Sequence, residues 1–185
     1  MFVSMSFALG QGSSIHPKYT QLGAYSVPLL KGWHLQIIRG PISSIKYTAQ
    51  QQDTHLILKF VLFQPSKGIQ PARTQQQLKQ EAQEADQRAN SLVSLLGKLQ
   101  VIQSKPMRFH NLPAYLEETK RMEGKEVITT RILRFTDGYN EYWVQLIIRG
   151  VVPTKEDKKL AEEAWTTLQE GLRPALSKKR MGDKK

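Results

Sequence analysis

Three alternating apolar stretches follow one another between Leu112 and Val152, and tight-turn residues separate them. Leu112 to Met122 alternates through Ala114, Leu116 and Glu118 on one side and Tyr115, Glu117 and Thr119 on the other. Glu123-Gly124 breaks it, Val127 to Phe135 follows, and Asp137-Gly138 is a strong hairpin signal before Glu141 to Val152. A chain built this way must form an antiparallel meander with one face turned to a core. Pro153-Thr154 then opens a helix. Thr154 can cap it, Asp157 faces the N-terminal dipole, and Ala161, Ala164, Trp165, Leu168 and Leu172 form its buried stripe.

The first half repeats the logic. Ala24 to Trp33 holds a turn or bulge bracketed by Pro28 and Gly32, and the strand resumes through His34 to Ile37. Residues 15–23 read as a polar lead-in. Ser44 to Thr48 alternates as a half-buried strand, and Thr54 to Phe63 is a well-buried one. Thr74 and Gln77 have capping-box spacing, and Leu78, Ala82, Ala85, Ala89, Leu92 and Leu96 set one apolar stripe on a helix over 74–96 that ends at Gly97. Half the stripe is Ala, so the helix is expected to lie on a sheet and not in a coiled coil. Leu99 to Phe109 contains Pro106 and reads as an edge strand or a bulged one. The expected fold class is α+β in the order β-β-β-α-β-β-β-β-α. An antiparallel sheet of six to seven strands would be flanked by two long helices in an α/β/α sandwich.

Net charge bears on partners. The sum is +11, and residues 173–185 alone carry +5. Lys178, Lys179, Arg180, Lys184 and Lys185 make a basic tail over 176–185, read as solvated and disordered, with nucleic acid or anionic lipid as its other use. Residues 1–17 hold no charged side chain, and MFVSMSFALGQG resembles the end of an export signal without its positive start. A clipped signal, a weak complete one and a disordered N-terminus compete; some form of export signal is the favoured reading. Residues 18–175 form a single domain. The chain has no cysteine, which removes thiolate metal sites, disulfides and cysteine nucleophiles.

Catalytic constellations are sparse. His16, His34, His55 and His110 show no metal-ligand spacing, so neither a metal nor a cofactor is expected. Glu117 and Glu118 point to opposite sheet faces and cannot work as a pair, and Glu162 and Glu163 fall on the solvated helix face. Glu84 and Arg88 have the spacing of a helix-surface ion pair. Trp33, Trp143 and Trp165 are expected to pack inward. Tyr139 and Tyr142 flank the hairpin turn and are expected to be exposed; with Arg134 and Lys125 they form the candidate partner-binding patch. Aromatics beside cations, at Lys46-Tyr47 and from Arg131 to Phe135, keep single-stranded nucleic acid as an alternative.

Two short patterns carry a resemblance. Pro28-Leu29-Leu30-Lys31-Gly32-Trp33 is similar to the Pro-x-x-x-Gly-Trp opening of many PsbP-like proteins. His110-Asn111-Leu112-Pro113-Ala114-Tyr115 resembles their Gly-x-Pro-Ala strand start, with Asn111 in the turn where Gly is more usual. Tyr142 to Leu146 followed by an amphipathic helix fits the same pattern. The PsbP-like superfamily includes photosystem extrinsic proteins, a Ran-binding import factor, DcrB-type envelope proteins and effector-loading adaptors. The resemblance implies an antiparallel sheet sandwiched by helices and a function in binding other proteins. The expected function is a non-catalytic protein-interaction or accessory module of the bacterial cell envelope, periplasmic or exported. The alternative is a cytoplasmic adaptor, chaperone or nucleic-acid-associated protein.

Overall fold

The computed structural model describes residues 19–40, 42–63, 99–137 and 140–175, together with 76, 77, 79, 80, 83, 84 and 87. Its main element is a seven-stranded antiparallel sheet. The strands are β3 (His34–Ile38), β4 (Ile42–Gln51), β5 (Thr54–Phe63), β6 (Gln100–Phe109), β7 (Leu112–Glu123), β8 (Glu126–Thr136) and β9 (Glu141–Gly150), in the spatial order β3-β4-β5-β9-β8-β7-β6. A second sheet joins β1 (Tyr19–Leu22), β2 (Tyr25–Pro28) and β10 (Arg173–Pro174) in the order β1-β2-β10. The long helix α1 is Lys155–Gly171.

The meander forms as expected. The Glu123-Gly124 turn has Gly124 at φ +62°, and the β8–β9 turn is held by the Asn140 N–H donating to Asp137 Oδ1 at 2.8 Å. His110 and Asn111 both take positive φ, 48° and 66°, so the β6–β7 turn is built from left-handed residues and Asn111 does the work of the absent Gly. Gly32, at φ +81°, turns the chain out of the small sheet into the large one. The Pro28–Trp33 stretch is therefore a sheet-to-sheet switch.

Register decides which side chains meet. Thr54, Leu56, Leu58, Phe60 and Leu62 of β5 share a face with Tyr142, Val144, Leu146 and Ile148 of β9 and with Leu133 and Phe135 of β8. Tyr25 and Val27 of β2 and Ala161, Ala164, Trp165 and Leu168 of α1 close over that face. Tyr25 stands edge-on to Phe60, Phe135 and Tyr142, with centroids 5.9, 5.6 and 4.8 Å apart. Such pairs add about 0.5–1.5 kcal/mol each beyond burial. The Tyr47 hydroxyl donates to the Pro28 carbonyl at 2.7 Å, which pins β4 to β2.

Two expectations change. The residues expected as a polar lead-in contain β1, whose four residues bury only Leu22 and so carry little periodic signal. One long helix is seen among the described elements, not two. Of the helix expected over 74–96, the described residues 76, 77, 79, 80, 83, 84 and 87 are helical and exposed, and Gln80 donates to Glu84 at 3.2 Å. The apolar stripe from Leu78 to Leu96, Arg88 and Gly97 lie outside the described residues, as do residues 1–18 and the basic tail at 176–185.

Candidate binding surfaces

The expected Tyr139–Tyr142–Arg134–Lys125 patch is not assembled. Arg134 pairs across the strands with Trp143, so Tyr142 lies on the opposite sheet face. Tyr142 is fully buried at 0% exposure, where its hydroxyl donates to Asp137 Oδ2 at 2.9 Å and accepts from the Ala24 N–H at 3.4 Å. Burial, and then the Asp137 charge, push its pKa well up. The same two causes raise Tyr25 to about 12. Arg134 is itself buried, with its guanidinium 4.7 Å from the Trp143 ring centre. Lys125 is exposed in the β7–β8 turn, and Tyr139 lies outside the described residues.

Of the other assignments, some hold and some move. Trp165 is buried, and Trp33 packs against the core from a half-buried position. Trp143 faces away from α1, against Phe63, with centroids 4.5 Å apart. Glu117 and Glu118 do fall on opposite faces. Glu162 is not merely solvated. Arg131 reaches it at 2.7 Å and Glu118 at 3.0 Å, with the guanidinium 5.5 Å over Trp165. Burial works against the Arg131 charge, but the two carboxylates outweigh it and its pKa rises. Tyr47 and Phe135, the aromatics beside cations, are buried core residues and offer nothing for bases to stack on. No group of three potential metal ligands is found among the described residues. His34, His55 and His110 are exposed, and His16 lies outside.

Two surfaces that no short motif announces are better formed. The first is the β3 edge. The two edges of the large sheet differ in protection. At β6, Pro106 lacks an N–H, Lys105 and Arg108 are exposed, and the ladder slips between Val101 and Gln103. These are the devices that keep an edge from pairing with another chain. β3 has neither proline nor charge, and Ile37, Ile38 and the adjoining Ile42 are exposed at 41, 44 and 55%.

The second is a groove of about 560 Å³ between α1 and the ends of β6 to β9. Ile102, Val127, Leu146 and Ile148 supply apolar walls, Val151 and Val152 form its lip, and Lys120 and Lys158 stand at its rim. The Glu118–Arg131–Glu162 bridge crosses it.

The solution structure of cyanobacterial PsbP (CyanoP) from Synechocystis matches this architecture with a TM-score of 0.52 over 90% of this chain and 98% of that one, at 10% identity. The fold is PsbP-like. Two further solved structures are similar at lower scores. One is PA94 of Pseudomonas aeruginosa, a protein of unknown function, at 14% identity and TM-score 0.49, covering 88% of this chain and 99% of that one. The other is LpqN of Mycobacterium tuberculosis, involved in cell envelope biogenesis, at 12% identity and TM-score 0.44, covering 84% and 83%. No protein-family model and no curated protein matches the sequence.

Proposed function

We propose that the chain is a non-catalytic accessory module of the bacterial cell envelope whose protein partner adds a strand to the β3 edge. The observation that carries this is the asymmetry between the two edges of the PsbP-like sheet. β6 is guarded three ways, whereas His34–Ile38 presents alternate backbone N–H and C=O groups beside exposed isoleucines. Strand addition draws affinity from the main chain and specificity from alternate side chains. The similarity of the Pro28–Trp33 segment to proteins that work by binding other proteins supports the reading, and the signal-like first residues support the location.

A photocrosslinker at the exposed Gln36, introduced in the cells the protein comes from, tests the partner. One dominant adduct in the envelope fraction is expected, and Ile38→Lys should abolish it while the fold is retained. An adduct that survives Ile38→Lys removes the edge as the binding site. The mass of the native N-terminus tests the location: trimming near residues 8–14 is expected, and an intact Met1 in the cytosol overturns it.

A further inference from the structure

The half of the large sheet that ends in β3 is almost free of acid. Residues 1–63 hold one, Asp53, against Lys18, Lys31, Arg39, Lys46 and Lys59. Lys31 and Arg39 are exposed on either side of β3. Lys46 and Lys59 stand opposite each other on the next two strands, half-buried, on the face away from α1. Their neighbours on that face are Gln36 and Gln145 across the strands and Ser44, Thr48, Ile57 and Val61 along them. None of these is an acid. Asp53 is six residues from Lys59, about 20 Å at the rise of a strand. Neither lysine has an ion pair among the described residues. Burial first, and the Lys46 charge second, pull the Lys59 pKa down.

In the free chain this pair only repels, so it costs stability. An acid brought from outside would turn both charges into attractions. The place from which it can come is the β3 edge. A strand added there sets every second side chain on the lysine face. Strands lie about 4.8 Å apart, so the position beside Gln36 is about 10 Å from the Lys46 backbone. The four-carbon stem of lysine and a glutamate side chain together span that distance. On the other face the added strand meets Leu35 and Ile37, which continue the core row of Tyr47 and Ile45. Two other occupants answer less of this. A second copy pairing β3 with β3 brings no acid, because His34–Ile38 has none. A nucleic acid brings phosphates but no main chain for the edge.

We propose that the strand received by β3 is an acidic one. It is an extended segment of another protein, with apolar side chains beside Leu35 and Ile37. Beside Gln36 it carries a carboxylate that reaches Lys46, with Lys59 behind it. This rests on the β3 edge being the binding site and adds the chemistry of what binds there.

The test titrates the full chain with the fluorescein-labelled peptide Val-Thr-Val-Glu-Val-Thr-Val, followed by anisotropy at low salt. Two counterparts hold Gln or Lys at the centre. The glutamate peptide should bind about fivefold tighter than the glutamine one, and the lysine peptide weakest of the three. Lys46→Gln should cut the glutamate advantage to under about twofold and leave the glutamine peptide unchanged. In a second preparation, a photocrosslinker in place of Gln36 should capture the glutamate peptide. Glutamate and glutamine peptides that bind equally, and both crosslink at position 36, overturn the acidic partner while the edge remains the binding site. A glutamate preference that survives Lys46→Gln overturns it in favour of Arg39 or the basic residues of 176–185. Capture of none of the three peptides also overturns it, and the adduct formed in cells then decides the edge by itself.

Discussion

The Thr54 hydroxyl donates to Asp157 Oδ2 at 2.9 Å, joining the first residue of β5 to the first turn of α1. Asp157 is the N3 residue of a capping box with Thr154. Its carboxylate also accepts the Thr154 N–H at 2.7 Å, and its own N–H donates to Thr154 Oγ1 at 3.1 Å. Burial alone would raise the Asp157 pKa, but these hydrogen bonds outweigh it and hold the group below the usual carboxylate range. The carboxylate therefore contributes stability that is complete above the unfolded pKa near 3.9 and lost as pH falls through the lower folded value. Asp157→Ala should cost about 2 kcal/mol at neutral pH, from the lost cap and a stranded Thr54 hydroxyl. Urea unfolding at pH 7 and pH 2.5 checks this: the gap between wild type and Asp157→Asn should narrow in acid. A constant gap would show that the charge is not what matters.

Lys46 and Lys59 stand directly opposite each other on β4 and β5, on the sheet face away from α1, with Gln36 and Gln145 on either side. Like charges in this position repel. Burial, then the Lys46 charge, pull the Lys59 pKa down. The native state thus holds fewer protons than the unfolded chain between the lowered value and about 10.4, so this pair makes the protein more stable as pH rises through that window. Lys46→Gln should stabilise by about 0.5 kcal/mol at pH 7.5. That gain should shrink at pH 10.5 in matched urea titrations, and one that grew instead would contradict the assigned repulsion.

Arg131 separates two carboxylates of unequal burial. Glu118 is mostly enclosed, whereas Glu162 keeps half its side chain in solvent. Exposed ion pairs contribute about 0–1 kcal/mol, so Glu162→Gln should change stability little. Arg131→Met leaves Glu118 enclosed without its cation and should cost about 2 kcal/mol or more. Equal effects of the two substitutions would mean that Glu118 finds water or another cation.

What could be read from sequence follows from how local each signal is. The meander and α1 were legible because turn residues such as Gly124 and Asn111 and the stripe from Ala161 to Leu172 act within a few positions of each other. β1 escaped because four residues with one buried side chain give no periodicity. Tyr142 is buried, although a tyrosine near a turn looks exposed, because Phe60 of β5 and Phe135 of β8 stack beside it and Tyr25 of β2, distant in sequence, closes over it. The groove and the exposed β3 edge depend on register and on which of the described residues pack against them, which composition does not encode.

Gly171, the last residue of α1, tests that long-range packing. Glycine in a helix usually costs about 1 kcal/mol relative to alanine, so Gly171→Ala would ordinarily stabilise. Here an added Cβ would sit 2.6 Å from Pro28 Cγ and 3.0 Å from Pro28 Cβ. Pro28 ends β2, and its carbonyl holds the Tyr47 hydroxyl, so it cannot retreat without breaking that bond. Overpacking of this kind costs about 1–3 kcal/mol, which exceeds the helix gain. Gly171→Ala should therefore lower the urea midpoint, and Pro28→Ala in the same chain should recover part of the loss by removing the Cγ atom. A more stable Gly171→Ala protein would show that the small sheet does not close against the end of α1.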